Sequence, residues 1–162
     1  NFEAFASVNT PCAALITRDG FQWAAPEKNL PAFNPRTAAD ERVFVYKLVP
    51  GASEKVLDFA VQAGYRAIVI EGFGAGGVPN RENTLLPALE RALKAGVIVV
   101  CITQCIYDGT HLDVYDTGVL AQRLGALSAD CMTLEAVVTK LMWALGNTET
   151  NEEAKELFLK TN

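Results

Sequence analysis

From residue 42 onward the hydrophobic positions alternate between two patterns. Segments 43–49, 67–70 and 97–102 are short, nearly continuous apolar runs rich in branched residues. Between them apolar residues recur every three or four positions: Val56, Leu57, Ala60 and Val61 within 54–63, then Leu85, Leu86, Leu89 and Leu93 within 82–94. The first pattern predicts strands apolar on both faces, and the second predicts helices with one apolar stripe. Their alternation predicts a parallel sheet covered on both sides. Pro50-Gly51 ends the first strand, Ser53 is placed to cap the first helix, and Gly64 and Gly96 stop the two helices.

Further along, a polar loop over 103–116 leads into a helix at 117–124 and a short strand near 126–128. Thr133 is positioned to cap a helix running to Leu145, with Glu135 in its first turn, where the helix dipole favours negative charge. A charged amphipathic helix over 151–160 closes the chain. The expected fold is a three-layer, flavodoxin-like α/β domain with a four-stranded parallel sheet and helices on both faces.

The first 41 residues read differently. Pro11, Pro26, Pro31 and Pro35 interrupt any long element. Short apolar runs at 12–16 and 21–24 flank Arg18-Asp19-Gly20, which predicts an edge hairpin. The chain thus divides into an irregular connector, 1–41, and an α/β domain, 42–162. It begins at Asn1 without an initiator methionine, which suits a fragment or a processed product.

Composition narrows the function classes. A chain of 162 residues, half hydrophobic and a fifth charged, suits one soluble globular domain. A formal net charge of −5 without a run of Lys or Arg argues against a nucleic-acid surface. No apolar run reaches the ~18–20 residues of a membrane span, and the start lacks the pattern of a secretory leader. A cytoplasmic protein with reduced thiols is expected. The four cysteines show no CxxC spacing, and with one histidine they supply no standard zinc set. Cys101, inside an apolar run, reads as core.

Candidate chemistry gathers after the second and third strands. Residues 71–79, Glu-Gly-Phe-Gly-Ala-Gly-Gly-Val-Pro, place four glycines in six positions after a strand. Glycine there permits positive φ and close approach to a ligand. The run lies too deep in the fold for a dinucleotide fingerprint, and no Lys-Ser or Lys-Thr follows in P-loop register. The loop from Thr103 carries Gln104, Cys105, Asp108, His111 and Tyr115. Both loops follow parallel strands, so their polar groups are expected on one edge of the sheet. His111, solitary beside Asp113, reads as a solvated loop histidine, and Leu141, Met142 and Trp143 as helix core or subunit interface.

Several segments stand in a recognisable order: 71–79, Thr103-Gln104-Cys105, Tyr115-Asp116-Thr117-Gly118, 130–136, and Lys140-Leu141-Met142-Trp143. Together they resemble the C-terminal domain of type I (cytosolic) L-asparaginases. They also resemble the asparaginase-like D subunit of archaeal glutamyl-tRNA(Gln) amidotransferase. Residues 2–9 are similar to the family's interdomain connector, so the resemblance spans essentially the whole chain.

The resemblance implies an amidohydrolase that makes L-aspartate and ammonia from L-asparagine without metal or organic cofactor. It implies an N-terminal domain carrying the nucleophilic threonine, and a homodimer or homotetramer in which this domain completes a neighbour's active site. Tyr115 matches the family tyrosine that reaches the neighbour's catalytic threonine; its other reading is a loop tyrosine packed on the sheet edge. Thr103 and Cys105 match positions lining an asparagine effector site, or serve only as strand-end packing. Glu71 stands where that site carries an arginine, so it would repel an effector's carboxylate and hold its ammonium group. A third possibility is a stand-alone amino-acid-binding module.

Overall fold

The structure, a computed structural model, describes residues 6–24, 35–81 and 84–160. Strands β3 (Val43–Lys47), β4 (Ala67–Gly72), β5 (Ile98–Thr103) and β6 (Leu127–Ser128) form a parallel sheet in the order β3-β4-β5-β6. Helices α1 (Lys55–Gln62), α2 (Leu86–Lys94) and α3 (Asp116–Leu124) supply the crossovers. Helices α4 (Leu134–Gly146) and α5 (Asn151–Lys160) follow the last strand.

Alternation along the strands divides the core in two. Ile68, Ile70, Val99 and Cys101 pack with Leu57, Leu89 and Ala121 from α1, α2 and α3. Their neighbours Ala67, Val69, Ile98 and Val100 pack with Val137, Leu141 and Phe158 from α4 and α5. This is the expected three-layer arrangement, and it explains why the central strands carry no polar face. Each fully buried Leu or Ile contributes about 1.5–3 kcal/mol of transfer free energy, so the two apolar layers dominate the stability of the domain.

Local signals set the ends of the elements, with some shifts from expectation. The Ser53 hydroxyl accepts from the Lys55 N–H at 3.3 Å, at the start of α1. Thr133 caps α4 as expected, its hydroxyl accepting from the Ala136 N–H at 3.3 Å. Helix α2 begins at Leu86 rather than at 82, because Pro87 fits only the first turn of a helix; residues 82 and 83 lie outside the described set. Strand β3 stops at Lys47, short of the expected 49, whereas β4 reaches Gly72 and β5 reaches Thr103. Glu71 and Thr103 are therefore strand residues, which fixes their backbones more firmly than a loop would.

The hairpin is present as β1 (Ala14–Thr17) and β2 (Gly20–Trp23), turning at Arg18-Asp19. It forms a two-stranded sheet of its own, not an edge of the parallel sheet. The end of the connector is strapped to α4. Trp143 Nε1 donates to the Arg36 carbonyl at 2.9 Å, Asn147 Nδ2 to that of Ala38 at 2.8 Å, and the Asp40 N–H to that of Met142 at 2.9 Å. The strap passes so close to Gly146 that a Cβ there would lie 2.6 Å from Ala39 Cα. Asp40 then joins both arginines beside it, 2.6 Å from Arg42 and 3.0 Å from Arg66. The Arg42 hydrogen bond, aided by Arg66, holds the Asp40 carboxyl well below the usual carboxylate range.

Candidate functional site

β4 and β5 end together, Gly72 pairing with Thr103, so the loops that follow leave the sheet at the same edge. The glycine turn is self-closed. The Phe73 N–H donates to the Gly77 carbonyl at 2.9 Å, and the Gly77 N–H to that of Phe73 at 2.8 Å. Gly76, at φ +98°, has no room for a side chain, since a Cβ would lie 2.7 Å from Thr110 Cγ2. A Cβ on Gly72 would lie 2.5 Å from the Gly76 carbonyl carbon. Glycine is required here by close packing of the turn on itself and on the next loop.

That next loop is fastened to the turn by side chains. The Thr103 hydroxyl donates to the Gly74 carbonyl and accepts from the Cys105 N–H, the latter at 2.9 Å. Cys105 Sγ lies 3.7 Å from the same carbonyl. Thr110, almost fully buried, accepts through its hydroxyl from the Thr103 N–H at 3.0 Å. Gln104 Nε2 donates to the carbonyls of Leu48 at 2.7 Å and Glu71 at 2.9 Å, tying the ends of β3 and β4 together. Sequence reasoning assigns Gln104 and Thr110 no task. The one signal for Gln104 is a polar type directly after a buried strand end, where backbone groups need partners; Thr110, seven residues beyond Thr103, carries no such signal.

Glu71, Thr103 and Cys105 share one cavity of about 270 Å³, closed by the start of α4 and by Val8 and Asn9 of the connector. The Glu71 side chain, 12% exposed, stands 3.3 Å from Lys47 Nζ, which offsets its charge at the rim. Thr103 is 8% exposed, and its hydroxyl proton is already committed to Gly74. Cys105 is exposed and offers the freer polar atom. The cavity can hold a small polar molecule, and its Thr103 hydroxyl and Cys105 thiol both face the Gly74 carbonyl. His111 is exposed, with Nε2 2.7 Å from the Asp108 carbonyl, as suits a solvated loop histidine. Cys101 is fully buried, and desolvation pushes its thiol up to about 12, which removes it from nucleophilic chemistry.

Tyr115 lies apart from these three. It precedes α3 and is 64% exposed, beside a separate depression formed with Pro79, Arg81 and Thr117. Among the described residues nothing hydrogen-bonds its hydroxyl. A tyrosine packed against the sheet edge would be covered, and this one is presented outward.

Known proteins share the fold. Residues 42–158 match the family model described as Glutaminase/Asparaginase C-terminal domain. Among curated relatives, the L-asparaginase of Thermococcus kodakarensis is 37% identical over 157 residues, 95% of this chain and 47% of that protein. The D subunit of the Glutamyl-tRNA(Gln) amidotransferase of Pyrococcus abyssi is 41% identical over 120 residues, 74% of this chain and 27% of that protein. The solved thermostable L-asparaginase from T. kodakarensis superposes with a TM-score of 0.83 at 37% identity, covering 96% of this chain and 47% of that one. L-asparaginase I from Vibrio cholerae gives 0.84 at 29% identity, covering 98% and 48%. The chain therefore spans about half the length of these asparaginases and about a quarter of the amidotransferase protein. With a matched model over most of its length and the same fold in solved relatives, the chain belongs to the glutaminase/asparaginase C-terminal domain family.

Proposed function

We propose that this chain acts as the C-terminal domain of an L-asparaginase, in an amidohydrolase that releases L-aspartate and ammonia from L-asparagine. Its task is to complete an active site whose threonine nucleophile stands on an N-terminal domain. Tyr115 extends towards that site in a neighbouring protomer of a cytoplasmic homodimer or homotetramer. The cavity walled by Glu71, Thr103 and Cys105 serves as an asparagine effector site. No metal or organic cofactor takes part. On its own the chain does not turn over asparagine, because it contributes no activated nucleophile.

The observation that carries this reading is the division of labour along one sheet edge. A cleft lined by Glu71, Thr103 and Cys105 lies on one side, and a tyrosine with an outward-facing side chain lies on the other. The asparaginase-like component of a glutamyl-tRNA(Gln) amidotransferase is the second reading, favoured by the 41% identity over 120 residues. The asparaginase match runs further, through 95% of the chain and so into the connector, and this favours asparaginase.

The test is calorimetric titration of L-asparagine into the 162-residue chain, with ammonia measured in parallel. Saturable heat without ammonia is expected. The titration is then repeated with the chain joined to the half of T. kodakarensis L-asparaginase that it does not match, where asparagine hydrolysis should appear. A joined, folded protein that hydrolyses glutamine only with a second, different protein bound would move the assignment to the amidotransferase. Ammonia from the chain alone would overturn the division of labour.

A further inference from the structure

The chain contains two Asp-Gly pairs and no Asn-Gly, and the fold holds the two pairs differently. At Asp-Gly an aspartate can close on the next backbone nitrogen, because glycine carries no Cβ to obstruct the approach. Asp19-Gly20 turns the hairpin: the Asp19 N–H donates to the Thr17 hydroxyl at 3.3 Å, and Gly20 is paired with Thr17. Asp108-Gly109 lies in the loop after β5. Asp108 is exposed and holds φ +77°, a left-handed conformation that a residue with a Cβ adopts at a cost. Among the described residues its carboxylate has no hydrogen-bond or ion-pair partner, and the Gly109 N–H has no acceptor. His111 Nε2 lies 2.7 Å from the Asp108 carbonyl, which can only accept, so the imidazole donates. The ring is kept at that position by its backbone, the His111 N–H donating to the Ala75 carbonyl at 3.0 Å.

We propose that Asp108-Gly109 is a site of spontaneous isomerisation to isoaspartate, promoted by the His111 hydrogen bond. The Gly109 nitrogen attacks Asp108 Cγ. An N–Cγ bond forms, and the N–H proton and one carboxyl oxygen leave as water, giving a succinimide. Water then reopens the ring. Attack at Cγ restores aspartate; attack at the main-chain carbonyl carbon breaks its bond to nitrogen, and the chain then runs through Cγ. The His111 hydrogen bond draws electron density from the Asp108–Gly109 amide, so the Gly109 N–H becomes more acidic. It also polarises the carbonyl at which the second water attacks, which favours the isoaspartyl product. The free carboxylate and the unpaired N–H leave no hydrogen bond to break first. The consequence falls on the cavity wall, because the loop is pinned at both ends. The Cys105 N–H bonds the Thr103 hydroxyl at 2.9 Å, and the Thr110 N–H bonds the Asp130 carbonyl at 2.8 Å. A Cβ on Gly109 would lie only 2.9 Å from that same oxygen. One extra main-chain carbon between these anchors must displace the segment that carries Cys105 and Ile106 along the cavity.

The test is incubation of the 162-residue chain at neutral pH in heavy-oxygen water, followed by peptide mapping. Each ring opening leaves one heavy oxygen, and electron-transfer fragmentation distinguishes isoaspartyl from aspartyl peptides. Asp19 serves as the comparator within the same molecule. The expected result is label and isoaspartate at Asp108 accumulating severalfold faster than at Asp19. Equal rates, or a faster Asp19, overturn the proposal. In concentrated urea the two rates should converge, because the advantage lies in the fold; an advantage that persists in urea overturns it. His111→Phe keeps a ring at the position and removes the donor. It should slow labelling at Asp108 and lower the isoaspartyl share of the labelled product, with Asp19 unchanged. A folded His111→Phe protein with the wild-type rate and product ratio overturns the part given to His111. Should that variant fail to fold, the comparison of native chain with urea still decides.

Discussion

Thr103, the last residue of β5, reaches across to the glycine turn that follows β4 and hydrogen-bonds the carbonyl of Gly74 through its hydroxyl. The same oxygen receives the Cys105 N–H at 2.9 Å, so one hydroxyl links the glycine turn to the loop that walls the cavity. Thr103→Val keeps the shape and removes both hydrogen bonds of the hydroxyl, at a cost of roughly 1–3 kcal/mol. At about 2–4 °C per kcal/mol for a chain of this size, a clear drop in melting temperature is expected, and Thr103→Ser should recover most of it. A valine variant that melts with the wild type would show that the hydroxyl does not clamp the turn.

Gly118 gives a case where sterics and propensity compete. It lies inside α3, where alanine is favoured over glycine by roughly 0.8–1.0 kcal/mol. A Cβ at this position would lie 2.4 Å from the Leu112 carbonyl oxygen, and backbone cannot move aside as a side chain can. Gly118→Ala is therefore expected to destabilise by about 1–3 kcal/mol net, as overpacking does. Denaturant unfolding checks this. A stabilised variant would mean that α3 shifts freely against the 112 loop.

The alternation of apolar runs and helical stripes makes the parallel sheet legible, because burial on both faces leaves a continuous hydrophobic signature in 67–70 and 97–102. Thr133 is equally legible as a cap, since its task is local in sequence. The parallel-strand pattern puts both loops on one edge, but that Glu71 and Cys105, 34 residues apart in number, line one cavity is legible only through resemblance. The tasks of Gln104 and Thr110 depend on carbonyls and N–H groups supplied by distant strands. The start of α2 is obscured because the leucine stripe outweighs the signal of Pro87. The hairpin is legible from Arg18-Asp19-Gly20, but its separation from the parallel sheet is not, because that depends on strand pairing between segments distant in sequence.

Asp40 predicts an acid dependence. Its folded-state carboxyl is held below the usual range by Arg42 and Arg66, so its contribution is present above the unfolded value of about 3.9 and is lost as pH falls towards the depressed folded one. Asp40→Asn should be less stable than the wild type at pH 7, by about 1–3 kcal/mol because Arg66 is left without its charged partner. The gap should narrow steadily below about pH 4. Urea titrations of both proteins at several pH values test the sign, and a gap that widens in acid would refute it.

Tyr115 and Cys105 make separable predictions because they occupy different depressions on the same edge. The measurements use the chain joined to the unmatched half of T. kodakarensis L-asparaginase. Tyr115→Phe should lower kcat by roughly a hundredfold, the lower end of what a positioned proton-transfer group contributes. Its melting temperature should hardly change, since an exposed side chain with no bonded hydroxyl contributes within about 0.5 kcal/mol. Cys105→Ala should flatten any sigmoidal dependence of rate on asparagine, because it removes an exposed polar group from the cavity proposed as the effector site. If Tyr115→Phe keeps full turnover, the phenol is not part of the neighbour's site. If Cys105→Ala keeps the curve's shape, the cavity is not regulatory. A Tyr115→Phe protein that loses its sigmoidal response while keeping kcat would exchange the two assignments, and only that outcome would require a direct coupling between the loops that Thr103 holds together.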